Sequence, residues 1–177
     1  MYSLRMAHTR NVDRTHRTFL SYIDRTREFY QAQGYDRPYE WAFFADVPFA
    51  PLSKPLREST LVLITTASSF ERRPETSDGI VAPKEVSSGP MAAPPERLYT
   101  GDLAWDKEAT HTEDLDSYFP VHRLQELVEA GRIGQLASRY HGVPTEYSQR
   151  RTMEEDAPEI LRRCREDGAD AAMLVPL

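Results

Sequence analysis

A continuous apolar run near the end of the chain, Ala171-Ala-Met-Leu-Val175, constrains the fold more than any other feature. Strands with one solvent-exposed face alternate apolar and polar residues, whereas an uninterrupted apolar run is typical of a strand that is buried on both faces in a parallel sheet. Parallel strands are joined by crossover helices, so the run predicts an α/β domain. In open sheets of this kind ligands bind beyond the carboxyl ends of the strands, which here is the region of Leu177.

A second apolar run lies earlier in the chain. Ser59-Thr-Leu-Val-Leu-Ile-Thr-Thr66 is rich in β-branched residues and ends in two hydroxyls, which is typical of an interior strand. Apolar stripes at helical spacing lie between the two runs. Together they predict an α/β fold with a mainly parallel sheet flanked by helices in three layers, Rossmann-like or flavodoxin-like. Residues 61–66 and 171–175 are predicted as central strands, and helices are predicted near 121–130, 133–140 and 156–167.

The first third of the chain has a different pattern. Residues 14–33 place aromatic and aliphatic side chains at helical spacing before Gly34, which predicts an amphipathic helix. Pro48, Pro51 and Pro55 follow, and because proline lacks a backbone donor they predict an extended arm instead of a helix.

These patterns divide the chain into two parts. Residues 1–58 are predicted to form the N-terminal helix and the extended Pro-rich arm, and residues 59–177 the α/β domain, within one folding unit that is C-terminally incomplete. Residues 68–97 are rich in Pro, Ser and Gly and are too long for an ordinary connection, so they predict either a flexible loop or a lid.

Composition narrows the functional classes. The net charge is −6 over 177 residues, which argues against a nucleic-acid-binding surface. No apolar run approaches the roughly 18 residues of a membrane span, and no signal peptide pattern is present at the N-terminus. The single cysteine, Cys164, is predicted to pack on the inner face of a helix. We therefore expect a cytoplasmic protein that binds neither membranes nor nucleic acid.

Five residues are candidates for a site. Thr65 and Thr66 end a predicted strand and can hydrogen-bond a substrate carboxylate, although a plain turn is the alternative. Gly101 interrupts a short predicted strand, where Asp102 would place a polar group beside the bend. His111 is a candidate acid or base, with a solvated acidic loop as the alternative. The surrounding His and acidic residues lack the closed spacings of a metal site, so no metal is predicted.

From about residue 43 onward the chain resembles the selenoprotein B family of glycine, sarcosine, betaine and D-proline reductases. The most specific segment combines an aromatic-proline start with a Gly-x-Ile-Gly end. The resemblance rests on Pro48-Phe-Ala-Pro-Leu-Ser-Lys-Pro-Leu56, Leu61-Val-Leu-Ile-Thr-Thr66, Gly101-Asp102, Tyr118-Phe-Pro-Val-His-Arg-Leu-Gln-Glu-Leu127 with Gly131-Arg-Ile-Gly134, and Asp170-Ala-Ala-Met-Leu-Val-Pro176.

The resemblance implies a component B-like subunit that takes part in reductive C–N bond cleavage of a small amine or amino acid. It implies a pyruvoyl group on a partner subunit and a selenocysteine or dithiol as the redox nucleophile; no cofactor is expected in this chain itself. In the family a Cys-x-x-Cys or selenocysteine segment follows the last strand, so the nucleophile is expected just after Leu177. Ala67-Ser-Ser69 stands where the family often has glycine.

Two classes of function therefore stay open. The first is an oxidoreductase component whose nucleophile is not in these residues. The second is a non-catalytic binding or scaffolding module of the same fold. The expected protein partner of this chain is a pyruvoyl-type subunit or a second copy of the chain. If residues 171–175 lack a neighbouring strand, they are expected to leave apolar surface and unpaired backbone groups exposed.

Overall fold

A computed structural model describes residues 22–36, 44–46, 50–67, 85–100, 108–144 and 148–176. The chain divides into two compact units, Met1–Pro48 and Phe49–Leu177, so the last part of the predicted arm groups with the α/β domain. Among the described residues, no helix is both long enough and apolar enough to cross a membrane.

The described part of the first unit is mainly one helix, α1, Tyr22–Ala32. It ends at Gly34, whose φ of 85° is the left-handed conformation expected of a residue that closes a helix. The Tyr30 and Tyr35 rings meet edge to face, with centroids 5.6 Å apart, across this end. The predicted helix is thus confirmed from Tyr22 onward, and its first part, 14–21, lies outside the described residues.

The second unit is built on a mixed, mostly parallel sheet of five strands. Strand β1 lies inside it, with β3 and β4 along one side, β5 along the other, and β2 antiparallel to β4. The strands are β1 Thr60–Thr65, β2 Ser87–Pro90, β3 Gln135–Leu136, β4 Arg139–Gly142 and β5 Ala171–Val175. This confirms the α/β class with a mainly parallel sheet, and β2 arises within the segment predicted as a loop or lid.

Helical segments cover the two faces of the sheet. On one face Leu61 and Leu63 of β1 pack in the cluster that includes Val121 and Leu124 of helix α2, Val121–Glu129. On the other face Val62 and Ile64 pack in a cluster with helix α4, Ala157–Glu166. Every residue of β1 is buried because it has strands on both sides and helices above and below.

Helix α4 continues an earlier helical segment without a break. Helix α3, Gln149–Arg151, leads into a π-helical segment, Thr152–Asp156, and then into α4. The start is capped by Ser148, whose side chain accepts the Arg151 N–H at 3.3 Å. The predicted start near residue 156 is therefore too late, whereas the end beside Gly168, with φ of 66°, is as predicted.

The helix predicted at 133–140 is wrong, because this stretch supplies β3 and β4. Its i, i+3, i+4, i+7 apolar spacing is helical, but the two strand segments alternate between the two faces of the sheet: Tyr140 packs with one core cluster and Ala137 with the other. A Cβ on Gly134 would lie 2.8 Å from the carbonyl oxygen of Ser59. This close backbone approach brings the stretch against β1, where sheet hydrogen bonds outweigh local propensity.

The central position predicted for residues 171–175 is also wrong. They form β5, parallel to β1 in a register that runs from Leu61 opposite Ala171 to Thr65 opposite Val175. Among the described residues, however, no strand pairs with the other side of β5. Met173 and Leu174 are 38% and 68% exposed. The continuous apolar run therefore belongs to an edge strand with partly uncovered faces.

Candidate functional site

Three parallel strands end side by side at one edge of the sheet. Thr65, the last residue of β1, lies opposite Val175 of β5 and opposite Gly142 of β4. Helix α2 packs on one face of β1 and α4 on the other. In open α/β sheets ligands bind beyond the carboxyl ends of the strands, so this edge is a candidate binding site.

The two candidate threonines have different environments at this edge. Thr65 is 1% exposed, and its hydroxyl oxygen accepts the Ala67 N–H at 3.1 Å, so it holds the turn that follows β1. Thr66 is partly exposed. Of the two, Thr66 is therefore the residue that solvent or a small ligand can reach.

The other candidates lie apart from the strand ends in the chain. Gly101 and Asp102 lie outside the described residues. His111 is exposed, and its Nδ1 accepts the Glu113 N–H at 3.4 Å within its own loop. The structure thus places Thr65 and Thr66 at one turn, whereas the hydrogen bond of His111 is within its own loop.

The acidic loop after His111 organises the start of helix α2. The Asp116 carboxylate accepts the His122 N–H at 3.0 Å, and its second oxygen lies 3.3 Å from both His122 Nδ1 and Arg123 Nε. A carboxylate at a helix N-terminus satisfies an unpaired donor and favours the helix dipole. Within the described residues, no group of three or more His, Cys, Asp or Glu side chains is arranged to hold a metal ion.

The only thiol of the chain is unsuited to nucleophilic chemistry. Cys164 is buried on the inner face of α4, as predicted, in the cluster with Val62 and Ile64. Burial raises the pKa of the Cys164 thiol, and the nearby Asp167 carboxylate acts in the same direction. Because thiolates are the attacking species, a buried thiol with a raised pKa reacts slowly.

A buried polar cluster under α4 was not predicted from the sequence. His141 of β4 is 0% exposed, and its Nδ1 lies 2.8 Å from the hydroxyl oxygen of Ser88, its partner on β2. Its Nε2 lies 3.2 Å from Asp167 Oδ2, close enough for an ion pair but without hydrogen-bond alignment. Side chains from β2, from β4 and from the end of α4 thus meet at His141, although these elements are far apart in sequence.

Arginines fix the two ends of this cluster. Arg139 holds the Asp167 carboxylate through Nε at 2.9 Å and a terminal nitrogen at 2.8 Å. Arg163 donates to the Ser88 hydroxyl oxygen at 2.9 Å. Burial lowers the pKa of His141, and the Arg139 and Arg163 charges act in the same direction against the opposing effect of Asp167. His141 is therefore neutral near pH 7 and available as a base.

This lowered pKa predicts a specific loss of stability in mild acid. The unfolded chain has a histidine pKa of about 6.5, and the folded chain binds the His141 proton less readily. The contribution of neutral His141 to the free energy of unfolding is therefore fully present above about pH 6.5. As the pH falls below that value, the free energy of unfolding decreases by at most about 1.4 kcal/mol per pH unit.

Urea unfolding at about pH 7.5 and about pH 5.5 tests this expectation. The free energy of unfolding should be smaller at the lower pH, and His141→Gln should flatten the dependence. The exposed His122 offers a matched control, since His122→Gln should keep the wild-type loss. Equal free energies of unfolding for the wild type at the two pH values would contradict the assignment.

The geometry thus offers two places for chemistry: the carboxyl edge of β1 and β5 with Thr66, and the polar cluster of Ser88, His141 and Asp167. The first is suited to binding a small polar ligand at strand ends. In the second, a hydroxyl contacts a neutral base, and the base contacts a carboxylate. No family model, curated protein or solved structure matches this chain.

Proposed function

We propose that the chain is a component B-like subunit of a glycine, sarcosine, betaine or D-proline reductase-type system. Its role is to bind the small amine or amino acid at the carboxyl edge of β1 and β5 for reductive C–N bond cleavage. The observation that carries the proposal is the in-register parallel pairing of β1 with β5, which sets Thr65 opposite Val175. The family resemblance of these two strand segments supplies the reaction type.

The strand order supports this placement. With β3 and β4 on one side of β1 and β5 on the other, strands are added to both sides of β1, as in a flavodoxin-like sheet. We therefore assign a Rossmann-like or flavodoxin-like arrangement whose switch point lies between the ends of β1 and β5. Thr66 is the residue proposed to hydrogen-bond the substrate carboxylate there.

The reductant chemistry is assigned to groups outside these 177 residues. As the family resemblance implies, a selenocysteine or dithiol would supply the nucleophile that displaces the amine from the α-carbon, and a pyruvoyl group on a partner subunit would activate the substrate. What this chain supplies is binding and orientation at the strand ends. The buried Cys164 with its raised pKa favours this division of roles.

Substrate titration followed by amide NMR tests the proposal. One of glycine, sarcosine, betaine or D-proline should shift the resonances of residues 65–67 and 175. Thr66→Val keeps the shape but removes the hydroxyl, and should weaken binding about 10- to 100-fold, as expected for a hydrogen bond to a charged group. Ser117→Ala, in an exposed turn distant in sequence, is the control and should bind normally.

Turnover gives the second readout. The chain alone, with a dithiol reductant, should release no ammonia or amine from glycine, sarcosine or betaine, and should form no ring-opened amino acid from D-proline. Activity of the isolated chain that disappears in Cys164→Ser would show that the thiol is the nucleophile after all. Absence of any shift at the strand ends would refute the binding role, and binding that never leads to turnover with a pyruvoyl-type partner would favour the scaffolding alternative.

A further inference from the structure

Ser88 is the accessible end of a chain of polar contacts that the proposed reductase role does not use. It lies on the exposed side of β2, whereas its cross-strand partner His141 is fully buried. The Ser88 Oγ to His141 Nδ1 distance of 2.8 Å is within the range of a hydrogen bond. A solvent-accessible hydroxyl is thereby attached to a buried imidazole.

The neighbours of His141 define which nitrogen carries the proton. Nε2 faces the Asp167 carboxylate at 3.2 Å, so the proton belongs on Nε2 and the lone pair of Nδ1 faces Ser88. Arg139 holds Asp167 in place from the opposite side. Ser88 therefore donates its hydroxyl proton to a neutral imidazole that a carboxylate orients.

A cation completes the arrangement beside the hydroxyl. Arg163 donates to Ser88 Oγ at 2.9 Å and is itself held by Glu159 at 2.7 Å. The hydrogen bonds from Arg162 and Arg163 lower the pKa of Glu159 to about 2, so this carboxylate stays charged and the guanidinium stays in place. A positive charge held beside the attacking hydroxyl is also near the carbonyl oxygen of an ester bound there, and it stabilises the negative charge that develops on that carbonyl oxygen.

We propose that Ser88 is a nucleophile that accepts acyl groups from small carboxylic esters, with His141 as its general base and Asp167 as a positioning residue. The roles follow those of a Ser-His-Asp triad, with the two ring nitrogens exchanged. Alignment of the His141 and Asp167 pair is imperfect without substrate, as is common for catalytic hydrogen bonds before substrate binds.

The proposed reaction is ester hydrolysis, and it needs no reactant other than the ester and water. Ser88 Oγ bonds to the ester carbonyl carbon while its proton moves to His141 Nδ1. The bond from carbon to the leaving oxygen then breaks, and the imidazolium returns the proton to that oxygen. Water next attacks the acyl-serine while His141 takes a proton from it. The bond from the acyl carbon to Ser88 Oγ then breaks, and the imidazolium returns the proton to Oγ, which releases the carboxylic acid and restores Ser88.

Covalent labelling tests the nucleophile directly. The intact chain is treated with diisopropyl fluorophosphate, and the adduct is located by peptide mass spectrometry; p-nitrophenyl acetate reports turnover. A single adduct on Ser88 is expected. Ser88→Ala should lose the adduct and the esterase activity, whereas Ser87→Ala should keep both, because the adjacent Ser87 points to the opposite face of the same strand.

The role of the base is tested by rates. His141→Gln should slow labelling by about 100- to 10,000-fold, the usual contribution of a general base. Because this buried substitution can disturb folding, the wild-type pH profile gives an independent measure. Because burial lowers the pKa of His141 in the folded chain, the labelling rate should stay level down through about pH 6.5 and fall only at lower pH, where His141 becomes protonated.

Three results would overturn the proposal. The first is no adduct on Ser88 in the folded wild type, and the second is equal labelling of Ser88→Ala. The third is a rate that rises tenfold per pH unit throughout, the signature of a serine that reacts without a base. The strand-end residues Thr65 and Thr66 take no part in these readouts, so failure here leaves the reductase proposal untouched.

Discussion

Phe119→Ala is expected to reduce the free energy of unfolding by about 3–5 kcal/mol, a large fraction of the stability of a typical domain. The Phe119 ring is 0% exposed and meets Tyr140 of β4 edge to face, with ring centroids 4.8 Å apart. Truncation removes this aromatic contact and leaves a cavity between the start of α2 and the sheet. Neighbouring side chains can fill such a space only in part.

Urea or thermal unfolding of the variant measures this loss. Leu127→Ala, on the exposed side of α2, is the matched control and should cost less than about 1 kcal/mol, because solvent already reaches that side chain. Similar losses for the two variants would show that Phe119 does not anchor the helix to the sheet.

Phe119 belongs to the segment that carries the most specific part of the family resemblance, and the structure shows how that segment packs. Within the segment from Tyr118 to Leu127, the residues Tyr118, Phe119, Val121 and Leu124 are buried in one core cluster. The Tyr118 hydroxyl also accepts the Leu98 N–H at 3.1 Å. The apolar and aromatic residues of this segment are therefore explained by packing in the core.

Elements whose signals are local were predictable from the sequence. Residues 60–65 combine β-branched side chains with a continuous apolar pattern, and they form the buried strand β1. Pro120 and Gly131 bracket an apolar stripe, and helix α2 lies between them. In both cases short-range propensity and tertiary packing favour the same structure.

Elements that depend on distant partners were not predictable. The stretch that forms β3 and β4 has helical spacing, and its pairing with β1 and β2 makes it extended. An apolar run such as 171–175 indicates a strand in a parallel sheet, but it does not specify whether a second neighbour is present. The position of β5 at the edge therefore had to come from the structure.

The candidate site also combines features that are visible in the local sequence with features that depend on distant residues. A threonine at a strand end is visible in sequence, although burial of the Thr65 hydroxyl is not. The pair of Ser88 and His141 is separated by 53 residues and meets only through the antiparallel pairing of β2 with β4. His141 lay inside a stretch predicted to end a helix and start a loop, so no local pattern linked it to Ser88 or Asp167.

We expect the chain to self-associate through β5, with a second copy as the partner. Ala171–Val175 contains no charge, no proline and no bulge, the features that usually protect an edge strand from pairing. Leu174 is 68% exposed and Met173 38% exposed. Two copies related by a twofold axis can pair β5 with β5 antiparallel, which satisfies the free backbone groups of both strands and buries these side chains at once.

Sedimentation velocity over a range of concentrations measures this association, with Leu174→Lys as the variant. Burying a leucine contributes about 1.5–3 kcal/mol, and the twofold contact contains it twice, so the dimer Kd should weaken by roughly 100- to 10,000-fold. Met153→Lys changes another exposed apolar side chain, 56% exposed, outside the strand edge and should leave the Kd unchanged. A wild type that stays monomeric at every concentration, or a loss caused equally by both variants, would contradict pairing through β5.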